Sequence, residues 1–146
     1  MAIDPIRPTD DDARALTRDL IRTARVASLA TLQPDGHPFA SLTSLATDVD
    51  GTPVILVSGL SAHTQNLRGD ARASLLVAAS GKGDPLAHPR ASLVVRAEAV
   101  ARESAAGARI RRRFLARQPK AALYVDFPDF GFVLLKIERV SLNGGF

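Results

Sequence analysis

Residues 27–77 read ASLATLQPDGHPFASLTSLATDVDGTPVILVSGLSAHTQNLRGDARASLLV. The stretch from Val26 to Gln33 has a strand pattern, and Pro34-Asp35-Gly36 breaks it with turn residues. A second strand is expected over residues 37–47, from His37 to Thr47, and a second Asp-Gly pair, Asp50-Gly51, turns the chain again. Pro53–Ser58 (PVILVS) is short and continuously apolar, as in a strand buried on both faces. Three strands on short turns predict an antiparallel meander. Ser61 then has the chemistry of an N-cap for a helix running to about Gly69, and a fourth strand is expected over Arg72–Ala79.

On the N-terminal side, Pro5 and Pro8 predict an extended arm over residues 1–8. Thr9 is the expected cap of a helix whose first turn holds Asp10, Asp11 and Asp12, and Leu16, Leu20 and Ile21 form its apolar stripe. On the C-terminal side, SGKGDPLAHP (residues 80–89) reads as loop, and Arg90–Arg102 as a long fifth strand. A helix over residues 103–117 follows, with Ile110 and Phe114 facing inward, then a helical turn at Pro119 and a last strand over Phe132–Leu142. With no repeat or internal linker, residues 1–146 are expected to form one domain. Its class is mainly β with flanking helices, a small six-stranded barrel, closed or half-closed.

Composition excludes several functions. The chain is 46% hydrophobic and 23% charged but has no apolar run of about twenty residues, so a membrane span is not expected. MAIDPIRPTDDD carries acids and prolines where an export signal would carry a basic end and an apolar stretch, which makes the cytoplasm the expected location. Zero Cys rules out disulfides and thiol chemistry, and three scattered His (His37, His63, His88) make no metal cage, so no metal is expected. The net charge is +4, mostly from Arg. The basic run Arg109-Ile110-Arg111-Arg112-Arg113 reads as the solvated face of an amphipathic helix. One Tyr and no Trp give little for base stacking, so no nucleic-acid partner is expected.

No self-sufficient catalytic motif is present. GxSxG, GxxxxGK, GxGxxG and HExxH are all missing from the sequence. An enzyme built on this chain would therefore draw its chemistry from a bound cofactor, and no catalytic side chain is nominated. The richest cluster of functional groups is Ser58-Gly59-Leu60-Ser61-Ala62-His63-Thr64-Gln65-Asn66. It turns out of a buried strand into a helix start, where free amides and hydroxyls favour an anion. The competing reading is that Ser61 simply caps the helix and His63 is solvated. The aromatics of Tyr124–Phe132 either face a planar ligand or plug a barrel end.

Taken in order, 27–77 together with GDPLAHPRASLVVRAEAV, RFLARQPKAALYVDFPDF and the closing LNGGF resemble the FMN-binding split-barrel family related to pyridoxamine 5′-phosphate oxidase. The resemblance is nearest to its haem-utilisation (HugZ-type) members and to the barrel of the cellular repressor (CREG-type) proteins. It covers residues 13–146, and LSAHTQNLRGDARASLLV is its most specific run. It implies a homodimer with FMN held between the two barrels. It further implies that Ser41, Leu42, Thr43 and Ser44 line the isoalloxazine and ribityl region. Ser58, Ser61, His63, Thr64 and Asn66 would hold the phosphate and ribityl chain, and Arg90 would reach the flavin, in either subunit.

Departures from the family narrow the expectation. The true oxidases have an Arg near the position of Ser41 and a Lys near that of His63, and their C-terminal substrate segment has no match in Ser141–Phe146. Oxidation of pyridoxamine phosphate is therefore not expected. In the haem-utilisation branch the iron is held by a His beyond the barrel, a region with no counterpart before Phe146, so haem degradation is not expected either. What remains is an FMN-dependent oxidoreductase acting on an unidentified small molecule. Its alternative is a non-enzymatic interaction module that has lost or weakly holds the flavin.

Overall fold

The structure is a computed structural model that describes residues 6–145. The part of the expected N-terminal arm before Ile6 lies outside the described residues. Helix α1 (Asp11–Thr23) is followed by β1 (Val26–Leu32), β2 (Pro38–Ser44), β3 (Ala46–Thr47) and β4 (Pro53–Ser58). Then come α2 (Ala62–Gly69), β5 (Arg72–Ala78), β6 (Arg90–Ala99), α3 (Ala105–Arg117) and β7 (Phe130–Asn143). Short 3-10 turns occur at Pro85–Ala87 and Pro119–Leu123. The cap of α1 is Asp10, not Thr9, its carboxylate accepting from the Ala13 amide at 2.8 Å. The carboxylate adds favourable charge at the helix dipole that a Thr hydroxyl lacks.

All seven strands form one antiparallel sheet in the order β2-β1-β5-β6-β7-β4-β3. Its two edge strands are consecutive pieces of residues 38–47, so the sheet curls until one bent segment supplies both margins. That is a split barrel with a seventh strand. The single strand expected over 37–47 breaks at Leu45, whose side chain is fully buried in the core. Its backbone leaves the ladder and is satisfied elsewhere: its amide donates to Arg25 O at 3.0 Å and its carbonyl accepts from Gln118 Nε2 at 3.0 Å. The meander is corrected by the same bend, because β4 pairs with β3 and β7 and never with β2. Both Asp-Gly turns form as read, with Gly36 and Gly51 at φ near +90°, a region other residues avoid.

The core lies in two clusters. Leu20 and Ile21 of α1 pack with Leu29, Leu45, Ile55, Leu75, Leu93 and Leu135 inside the curl. Ile110 and Phe114 of α3 pack with Ala46, Val54, Val125, Phe132 and Leu134 outside it. Strand β4 therefore has core on both sides, as its unbroken apolar run predicts. Strand β6 stops at Ala99 because Ala101 and Arg102 turn the chain into α3. Gly107 is required at that approach, since a Cβ there would lie 2.3 Å from Ala101 O.

The basic stripe of α3 is part-exposed, as expected of a solvated face, but it is also engaged with the sheet. Arg109 grips the buried Asp48 through two 2.9 Å bonds, and Arg113 Nε donates to Thr47 O at 2.8 Å. The stripe straps α3 to the β3 edge. The C-terminal aromatics pack on the α3 side of the sheet: Phe114 and Phe132 meet edge-on at 5.4 Å, and Tyr124 and Phe130 lie 5.0 Å apart. Among the described residues, no helix is long and apolar enough to cross a membrane.

Candidate functional site

The strand–turn–helix segment from Ser58 to Asn66 brings most of the expected site residues together. The turn after β4 is pinned by Asp129, whose carbonyl accepts from the Gly59 amide at 2.6 Å and whose carboxylate accepts from Ser58 Oγ at 3.1 Å. Ser58 Oγ also accepts from the Leu60 amide, and Gln65 reaches back to Gly59 O. Helix α2 then starts with Ser61 in the N-cap position. Contrary to expectation, the Ser61 side chain makes no capping bond. Its hydroxyl and the first amides of α2 are left for another acceptor.

Behind that turn the site runs inward. Along β2, period-2 alternation sends Ser41 and Thr43 to the inner face and Leu42 and Ser44 to the outer one. Ser41 Oγ lies 3.1 Å from His63 Nδ1, and Asn66 Nδ2 donates to Thr31 Oγ1 at 3.0 Å. Burial holds the His63 pKa below its ordinary value, so the ring is neutral near pH 7. Thr64 is only 4% exposed, and its Oγ1 is buried with no hydrogen-bond partner. An orphaned buried hydroxyl in the first turn of a helix whose cap is open is what a phosphate oxygen would satisfy. A phosphate group fits this end of the site.

Four expected residues do not join the cluster. Thr43 Oγ1 donates to the neighbouring Ser44 carbonyl at 3.2 Å. Leu42 stands on the outer sheet face, 69% exposed, and Ser44 shares that face. Arg90 folds back onto its own loop, donating to Leu86 O at 3.0 Å. Sequence reasoning missed Thr31, Asp129 and Arg68. Thr31 was legible, since alternation from Ala27 and Leu29 points it inward. Asp129 and Arg68 meet the Gly59 turn only through the fold, with Arg68 Nη2 lying 3.6 Å from where a Gly59 Cβ would sit. Arg68 puts a cation beside this turn, on a chain lacking the two cations of the oxidases.

The curled sheet, the bent margin strand and the helix start at one end define a split-barrel protein. The chain matches the pyridoxamine 5′-phosphate oxidase family model over residues 14–144, and it belongs to that family. It is 34% identical over 111 residues to a chloroplastic heme oxygenase of Arabidopsis thaliana (HOZ), which covers 76% of this chain. The chain spans only 33% of that protein's length. Among solved structures, a heme-binding protein from Mycobacterium smegmatis superposes with TM-score 0.86 at 34% identity, over 97% of this chain and 56% of that one. The Agrobacterium tumefaciens protein Atu2129, of unknown function, gives TM-score 0.85 at 39% identity, over 99% and 63%.

Proposed function

We propose that this protein binds FMN, with the phosphate at the first turn of α2, and serves as a flavin-dependent oxidoreductase for a small substrate. The observation that carries the reading is the partnerless Thr64 hydroxyl. Leaving such a group buried and unpaired costs about 1–3 kcal/mol. A phosphate oxygen would remove that cost and take the open Ser61 cap as well. A barrel that had abandoned its ligand has no reason to keep this arrangement, which weighs against a purely structural module.

When bound, a flavin would supply the redox chemistry. The chain's own groups position it. Ser61, Thr64 and the α2 amides hold the anionic end. Ser41 fixes the His63 ring, which offers a neutral hydrogen bond to the phosphate or ribityl chain and does not act as a base. The outer face carries exposed Val26, Leu42 and Leu76 among small serines, a surface that a second copy would cover in a homodimer. The flavin would lie at that interface. Cytoplasmic residence belongs to the same proposal.

Haem in place of flavin is the second reading. It is favoured by the two relatives named for haem and by His63, a neutral imidazole whose Nδ1 lies 3.1 Å from Ser41 Oγ. Visible absorption of the purified protein, before and after denaturation, separates the two. Released FMN, or flavin taken up on titration, supports the first reading. No flavin uptake, with a sharp Soret band on adding haemin, replaces it with the second.

A further inference from the structure

A second cationic site stands apart from α2. Arg22 of α1 and Arg113 and Arg117 of α3 line a cavity of about 340 Å³, completed by Ala46, Thr47 and Ala116. Small-molecule sites run from about 300 to 1,000 Å³, so the volume suits a small ligand. Three arginines line it and no carboxylate does. The neighbouring acid, Asp48, is occupied by Arg109 through two 2.9 Å bonds.

Each of the three guanidinium groups is anchored by a backbone carbonyl. Arg22 Nη2 donates to Val49 O at 3.2 Å, Arg113 Nε to Thr47 O at 2.8 Å, and Arg117 Nη2 to Thr23 O. These neutral carbonyls fix the side chains and cancel none of their charge, although the Asp48 carboxylate bonded to Arg109 also feels Arg113. Arg117 Nε is buried without a hydrogen-bond partner. Arginines that line one cavity, each held by a carbonyl, are suited to a tetrahedral oxyanion, which accepts several N–H bonds at once. Arg22 also borders an adjoining cavity of about 300 Å³ lined by Arg18, Ile21, Asp50, Lys136 and Ile137, which gives room for the rest of a molecule.

We propose that Arg22, Arg113 and Arg117 form a second anion site, which takes the phosphate group of a small phosphorylated ligand. The α1–α3 junction is thereby a binding surface as well as a structural strap.

The test uses inorganic phosphate as probe and arginine side-chain Nε–H signals in NMR as readout. Chloride at matched ionic strength corrects for screening. Saturable shifts at Arg22, Arg113 and Arg117 are expected. Arg22→Gln, which removes an exposed donor of α1, should weaken phosphate roughly tenfold, as loss of one charge-assisted bond implies. Arg117→Gln should do the same, and if it unfolds the chain, Arg22→Gln carries the test. Arg96→Gln, on a cation paired with Glu138 at 3.4 Å, should leave affinity within about twofold, as screened surface charge implies. No saturation, shifts that chloride reproduces, or equal weakening by Arg96→Gln would overturn the site.

Discussion

Ser41 Oγ lies 3.1 Å from His63 Nδ1, tying the inner face of β2 to the first turn of α2. The contact joins a margin of the curled sheet to the helix start proposed as the anion site. Burial there depresses the His63 pKa below its unfolded value of 6.5. As pH falls through 6.5 the unfolded chain takes up this proton first, so stability declines with acidity until the folded pKa is passed. Melting curves at pH 7.5 and 5.5 should show a loss that His63→Gln reduces. An unchanged loss in His63→Gln would assign the acid sensitivity to other groups.

Thr64→Val separates stability from function. The substitution removes a buried hydroxyl that has no partner, at nearly constant volume. The flavin-free variant is expected to be as stable as the wild type or more so, by about 1 kcal/mol. Urea denaturation measures this, and a loss of more than about 1 kcal/mol would mean the hydroxyl has a partner in the folded protein.

Leu45 tests the closure of the barrel. It is fully buried at the bend between β2 and β3. Leu45→Ala should cost about 3 kcal/mol or more, the usual range for a buried leucine that leaves a cavity. A cost under about 1 kcal/mol would mean that the bend tolerates collapse and does not depend on this side chain.

The dimer is tested on the outer face. Leu42 is 69% exposed, so Leu42→Asp should leave the melting temperature of dilute protein nearly unchanged. Sedimentation should show a wild-type dimer that the variant converts to monomer. A wild-type monomer with flavin bound would defeat the shared-site arrangement.

The fold was largely legible because its strongest signals are local. PVILVS at Pro53–Ser58, the two Asp-Gly turns and the Ile110/Phe114 stripe each depend on neighbours in sequence. The bend at Leu45 was not legible, since nothing within residues 38–47 shows that Arg25 and Gln118 satisfy its backbone from distant segments. The basic stripe of α3 was legible only in part, for a related reason. Amphipathic periodicity places Arg109 and Arg113 beside the apolar face but says nothing of the Asp48 and Thr47 groups that receive them. At the candidate site, helix-start chemistry singled out Ser61, His63 and Thr64. The competing reading, Ser61 as a helix cap, is not what the side chain does, and Asp129 and Arg68 could not be placed from sequence. Ser41 and Leu42 were grouped as one lining, though strand alternation sends them to opposite faces.

The central claim is that α2 holds the FMN phosphate, and paired titrations with FMN and riboflavin test it most directly. Wild type should bind FMN more tightly than riboflavin. Ser61→Ala combined with Thr64→Val should weaken FMN about tenfold or more, from two lost hydrogen bonds to a charged group, and leave riboflavin nearly unchanged. Equal losses for both ligands, or no preference for FMN in the wild type, would contradict the claim.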